Sequence, residues 1–234
     1  MLNSVDSQEI IWVTGLLQKN NPKSFTMPNT KLSFVLICNY GILDETIRRE
    51  TEWQGLIEYY QQINQYLDKN DNKNKNTALV LCGGYTNPLK PNISEAESAK
   101  NYLKQHIFPP SLKHSNILTE NTSQNSLENL VFGMLTLRSL IKQEETNSIS
   151  KLNIEIIIFC DIPRTPKIQF IVDEILKPAL NGAHYQFNFQ VIALKREDTH
   201  FKSNQLEQNK EIEKLKNSSL IKIYKDLLKI CYAL

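Results

Sequence analysis

The residues of this chain that could do chemistry fall into four short groups. Gly83-Gly84 closes the apolar run Ala78-Leu79-Val80-Leu81-Cys82, and Ser94-Glu95-Ala96-Glu97 follows shortly after. Thr119-Glu120-Asn121-Thr122-Ser123 precedes Asn125-Ser126-Leu127-Glu128-Asn129, and Asp161-Ile162-Pro163-Arg164 ends another apolar run. Two glycines after a buried strand let the backbone approach a ligand with no Cβ in the way. The same pair would equally serve a tight exit from the sheet. The spacing is neither GxGxxG nor GxxxxGK, so the dinucleotide fingerprint and the P-loop do not apply.

Ser94 and Glu97 have the spacing of a capping box, each satisfying backbone donors at a helix start. That arrangement has no use for Glu95, which is left at the mouth of the expected cleft. Asn125 and Glu128 repeat the pattern, with Asn129 one turn beyond Asn125. Two helix N-termini also offer N–H groups and a favourable field to an anion, as an alternative to capping alone. Arg164, directly after a strand, suits an anionic ligand, although a surface arginine is the plain alternative. There is no HExxH and no GxSxG, and His106, His114, His184 and His200 fall in loops or helix ends without an obvious partner. Cys38, Cys82, Cys160 and Cys231 include no CxxC pair, which favours reduced thiols without metal in a cytoplasmic protein.

The elements that must position these residues can be read from the apolar pattern. Continuous runs at 32–38, 77–82, 154–160 and 187–194, with a shorter one at 116–119, predict strands covered on both faces. Apolar positions three and four apart predict helices over 46–68, from Ser94 to Ile107, from Leu127 to Ile141, over 166–177, and over 205–231 with a break near 217–219. Strand alternating with helix predicts one α/β domain over 1–234 with a mainly parallel sheet of about five strands. Ligands in such sheets bind outside the carboxyl ends of the strands, which is where all four groups fall.

The 234 residues are 41% hydrophobic, enough for a substantial core, and carry a net charge of +2. That charge gives no reason to expect nucleic acid or an anionic membrane as partner. The C-terminal lysines are interleaved with Glu207, Glu211, Glu213 and Asp226 and read as a solvated helix face. Nothing is long enough to span a membrane; the run from Ile10 to Leu17 reads as a packing helix.

Taken in order, the double glycine, Ser94-Glu95-Ala96, the acidic Ser/Thr stretch at Glu120, Ser126-Leu127-Glu128-Asn129 and the strand with a trailing Arg164 resemble a known family. It is the bacterial domain of unknown function 218, the family of the YdcF, SanA and ElyC proteins. The resemblance covers about residues 32–195, leaving helical additions at both ends. It implies a Rossmann-like three-layer α/β/α fold with the site on these same loops. Gly83, Gly84, Ser94, Glu95, Glu120, Ser126, Glu128, Asn129 and Arg164 fall on the family's motif positions. An arginine in the helix after the first strand is usual, which here would be Arg48 or Arg49. Many relatives are anchored in the bacterial envelope and carry a histidine after the later strand; here no anchor is expected, and Asp161-Ile162-Pro163 stands where the histidine would be.

The resulting expectation is a small anionic or nucleotide-like ligand, such as S-adenosylmethionine or a phosphorylated carrier. Glu95 and Glu128 would hold hydroxyl or amine groups or act as general base, and Arg164 would pair with the charge. Gly83, Gly84 and the helix N-termini would face phosphate or carboxylate. If there is turnover, metal-independent hydrolysis or group transfer fits. The alternative is a non-catalytic regulatory or partner-binding module with a vestigial cleft. An exposed apolar stripe on helix 205–231 would mark a partner-binding protein.

Overall fold

A computed structural model describes residues 31–39, 41–43, 50–69, 78–88, 90–106, 117–145, 152–182, 184–195 and 201–233. The helix expected at Ile10–Leu17 and the arginines Arg48 and Arg49 lie outside the described residues. Five strands form one parallel sheet: β1 (Lys31–Cys38), β2 (Ala78–Cys82), β3 (Ile117–Glu120), β4 (Leu152–Asp161) and β5 (Tyr185–Leu194). Their order, β3-β2-β1-β4-β5, is Rossmann-like, with the direction of winding reversing between β1 and β4.

The helices follow the strands. They are α1 (Glu50–Lys69), α2 (Glu95–His106), α3 (Ser126–Glu145), α4 (Thr165–Ile171), α5 (Lys177–Leu180), α6 (Phe201–Lys216) and α7 (Leu220–Ala233). A π-helical stretch, Val172–Leu176, joins α4 to α5. α1 and α2 cover one face through Leu56, Tyr60, Ile63, Ala99 and Leu103, packed on Val35, Ile37, Leu79, Leu81 and Phe159. α3, α4, the π-helical stretch, α5 and α7 cover the other through Leu130, Met134, Ile141, Ile168, Ile175, Leu180 and Leu228, packed on Leu36, Val80, Ile156 and Ile158.

β1, β2 and most of β4 are buried on both faces, which is why their sequences are continuous apolar runs. β5 departs from that expectation. As an edge strand it has one face open, so Gln186, Asn188 and Gln190 are exposed between buried Tyr185 and Phe187 and half-buried Phe189. Its alternation, YQFNFQ, is the period-two signal of a half-covered strand.

α3 crosses the middle of the sheet and is closed over by α7. Tyr232 donates its hydroxyl to the Met134 carbonyl at 2.6 Å, and Arg138 donates Nε to the Cys231 carbonyl at 2.8 Å. Gly133 lets α3 sit low: a Cβ there would lie 2.7 Å from a Leu36 methyl and 2.8 Å from the Cys82 sulfur. No helix among the described residues is long and apolar enough to cross a membrane.

Candidate functional site

At the carboxyl end of β2 the two glycines face protein. The carbonyl of Gly84 accepts from Glu95 N at 2.9 Å and that of Gly83 from Ala96 N at 3.0 Å. Their own amides donate to Ser123 O (2.9 Å) and Glu120 O (3.0 Å) respectively. A Cβ on Gly84 would come within 2.2 Å of the Ser123 carbonyl oxygen, and one on Gly83 within 2.8 Å of Glu95 Cβ. The glycines therefore let α2 and the loop after β3 close on the end of β2.

The first turn of α2 is correspondingly occupied. Glu97 N is capped by Ser94 Oγ at 3.0 Å, and Ser98 N donates to Ser94 O at 3.0 Å, so with the two glycine carbonyls four successive amides have protein acceptors. Glu97 reaches back to Ser94 N at 3.5 Å, completing the capping box, and Ser94 Oγ donates to Asn121 Oδ1 at 2.9 Å. Glu95, 7% exposed, turns toward the rim, where its Oε1 accepts from Gly41 N (2.9 Å) and Thr86 Oγ1 (2.5 Å). It ties together the loops after β1 and β2.

Arg164 sits at the reversal point between β1 and β4, and is 6% exposed. Its Nε donates to Asp161 Oδ1 at 2.9 Å, Nη2 to Cys38 O at 3.1 Å and Nη1 to Asn39 O at 3.3 Å. Burial, the largest effect, disfavours its charge, but the Asp161 carboxylate together with Tyr59 and Cys38 outweighs it, and the net shift holds the guanidinium more firmly protonated. The arginine stitches β4 to the end of β1 across the place where related sheets take their ligands. Beside it, Asn39 accepts from the Tyr60 hydroxyl, while its buried Nδ2 has no hydrogen-bond partner.

On the α3 side, Glu120 Oε1 accepts from Thr122 N (2.7 Å), Thr122 Oγ1 (2.7 Å) and Ser123 N (2.9 Å), while its buried Oε2 has no partner. Ser126 and Asn129 are buried in the first turn of α3, and Asn129 Oδ1 accepts from Ser123 Oγ at 2.5 Å. Asn125 caps the helix through Glu128 N at 3.0 Å, and Glu128 Oε2 accepts from Gln124 N at 2.7 Å. Cys38 and Cys82 end their strands and Cys160 stands one residue before the end of β4, all on this face as free, buried thiols. Burial pushes the Cys38 thiol up to about 12 and raises Cys82 and Cys160 as well.

Among the described residues a cavity of about 290 Å³ lies between the start of α3, α4 and the hairpin of α6 and α7. Glu128 and Asn125 line it from α3, Lys167 from α4, Glu211 and Lys214 from α6, and Tyr224 from α7, with Leu127, Leu215 and Leu220 supplying apolar wall. Lys167 is only 6% exposed and pairs with Glu211. Tyr224 OH donates to Glu128 Oε1 at 3.5 Å, so two of the ties from the hairpin to the body of the protein run along this cavity. Of the expected site residues only Glu128 reaches it; Gly83, Gly84, Ser94 and Glu95 stand on the α2 side.

Lys167, Glu211, Lys214 and Tyr224 escaped the sequence reading. The one available signal was the position of Lys167, one turn past Arg164 in a helix that starts at the strand ends. Among the described residues no group of three His, Cys, Asp or Glu side chains is placed to hold a metal ion. No family model, curated protein or solved structure matches the chain.

Proposed function

We propose that this chain is a cytoplasmic small-molecule-binding domain of the bacterial YdcF, SanA and ElyC type, with its ligand in the cavity between α3, α4 and the α6–α7 hairpin. The ligand is small, carries an anionic group and has an apolar or planar body; S-adenosylmethionine, nucleotides and phosphorylated carriers are the candidates. Lys167 and Lys214 take the anionic group, Glu128 accepts from a hydroxyl or amine, and Leu127, Leu215 and the Tyr224 ring hold the body. The observation that carries this is a nearly buried lysine opening on a cavity with carboxylates and an aromatic ring on its other walls. A volume of about 290 Å³ falls just under the usual range of small-molecule sites, roughly 300–1,000 Å³.

The test is mass spectrometry of what the purified, gently denatured chain releases, followed by calorimetry with adenosine monophosphate, S-adenosylmethionine and a sugar phosphate. Binding of at least one of them, weakened about tenfold or more in Lys167→Met, is the expected result. Equal binding by Lys167→Met, or binding that responds only to Glu95→Ala, would place the site elsewhere.

A second reading, a regulatory module without turnover, is favoured by the hydrogen bonding on the α2 side. Arg164, the amides of the first turn of α2 and Glu95 Oε1 already have protein partners, so these groups are not poised to stabilise a reacting group. Absence of turnover of a ligand that binds would establish it.

A further inference from the structure

The sequence of α7, Leu220-Ile221-Lys222-Ile223-Tyr224-Lys225-Asp226-Leu227-Leu228-Lys229-Ile230-Cys231-Tyr232-Ala233, has more apolar positions than one buried face can use. Leu228 and Tyr232 are buried against α3 and α5, and Ile221, Tyr224 and Cys231 pack beside them. That leaves Leu220, Ile223 and Ile230, which are 43%, 44% and 59% exposed. They are spaced three and seven residues apart, so at 3.6 residues per turn they form one stripe along the outer side of the helix, bordered by Leu227, which packs against the core.

Lys222 and Lys229 are exposed on the same outer side, and Lys225 is partly so. Asp226 is the one acid on α7. The other acids of the two C-terminal helices, Glu207, Glu211 and Glu213, fall on α6, where Glu211 is paired with Lys167 and Glu213 with Lys216. The outer face of α7 is thus aliphatic along one half and, with Lys222, Lys225 and Lys229 to one exposed Asp226, net cationic along the other.

We propose that this face binds an anionic lipid surface, with α7 lying in the plane of the interface. Net charge weighs against a second copy, since each face carries three lysines to one aspartate and two such faces would repel. Composition decides against a protein partner: protein interfaces favour aromatic residues, Met and Arg and are depleted in Lys, whereas Leu, Ile and Lys make up this face. Aliphatic side chains beside lysines whose stems reach to the headgroups are the pattern of interfacial helices. Such a helix, with three exposed aliphatics, gives reversible attachment.

The experiment is co-sedimentation of the full chain with vesicles of phosphatidylcholine alone and of phosphatidylcholine with phosphatidylglycerol at about 2:1. Binding to the anionic vesicles and not the neutral ones is expected. The double variant Ile223→Ser/Ile230→Ser should lower partitioning by about tenfold or more; Leu220 is left in place because it also lines the cavity. Lys222→Glu/Lys229→Glu should do the same without touching apolar residues, and raising salt to about 0.5 M should weaken wild-type binding. Circular dichroism checks that both variants keep their helix content. No sedimentation of the wild type, equal binding to both vesicle types, or lysine-variant binding equal to wild type would overturn the proposal. So would a dimer seen by light scattering that Ile223→Ser/Ile230→Ser abolishes, which would give the stripe to a second copy.

Discussion

The two sides of the sheet's carboxyl rim are both rich in polar residues, yet they are built differently. On the α2 side, Gly83, Gly84, Ser94, Glu95 and Glu97 bond to one another and to the loops after β1 and β3. On the far side, Glu128, Lys167, Glu211 and Tyr224 pair across a cavity and come from four different helices. Polar residues at the end of a strand are therefore ambiguous until the destination of each donor is known. The first group is what a Rossmann-like sheet needs to fold its loops tightly. The second keeps charges beside open space, where a ligand can compete for them.

The sharpest break between the two regions is expected at Gly84. Gly84→Ala forces a Cβ against a backbone carbonyl 2.2 Å away, so the loss should be on the order of 4 kcal/mol or prevent folding. A urea midpoint near wild type would show that the loop moves freely and that the α2 side is not a packed joint. Arg164→Leu comes next. It leaves Asp161 buried without its ion-pair partner and removes the donors to Cys38 O and Asn39 O. A cost of about 3–5 kcal/mol is expected by the same measurement. A milder loss would favour a ligand-pairing role for the guanidinium.

Glu95→Ala should cost about 1–2 kcal/mol, because Gly41 N and Thr86 Oγ1 lose their acceptor in a partly buried loop. Unchanged stability with weakened ligand binding would move the site to the α2 side.

Alkaline pH probes the thiols at the strand ends. Cys38 rises from an ordinary thiol value of 9.0 to about 12 because burial opposes the thiolate. Its contribution to stability is complete below about pH 9 and is lost as pH climbs from there toward 12. In that window unfolding free energy should fall by about 1.4 kcal/mol per pH unit for Cys38, with Cys82 and Cys160, raised by burial too, adding to the slope. Urea midpoints measured between pH 7 and pH 10 test this; a flat profile through pH 10 would mean the rim opens readily to water.

The smallest stability effect is expected at Lys214, which is exposed on the cavity wall. Lys214→Ala should change stability by less than about 0.5 kcal/mol while weakening binding of whichever phosphate or carboxylate ligand calorimetry identifies. Loss of stability without loss of binding would reduce the cavity to a packing feature.

Most of the fold was legible in the chain. Val, Ile, Leu and Phe runs located β1, β2 and β4 to within two residues at each end, because a strand buried on both faces has to be apolar throughout. Three-and-four spacing located the helices, and Asn217-Ser218-Ser219 fell at the turn between α6 and α7. The capping boxes at Ser94 and Asn125 were also readable, since their bonds span only three or four residues. The edge position of β5 lay in its Gln and Asn alternation but competed with the apolar run that follows it.

The sequence by itself thus determined the elements, their parallel alternation and the local caps, all of which depend on periodicity or on neighbours a few residues apart. Tertiary structure alone decided which carboxylate faces open space, that Arg164 reaches back to the end of β1, and that Lys167 meets Glu211 and Glu128 meets Tyr224 across 44 and 96 residues. It also sorted the C-terminal charges, placing paired acids on α6 and leaving lysines beside exposed aliphatics on α7. Contacts between distant residues leave no periodic trace in one chain, because each partner need only satisfy its own helix or strand locally.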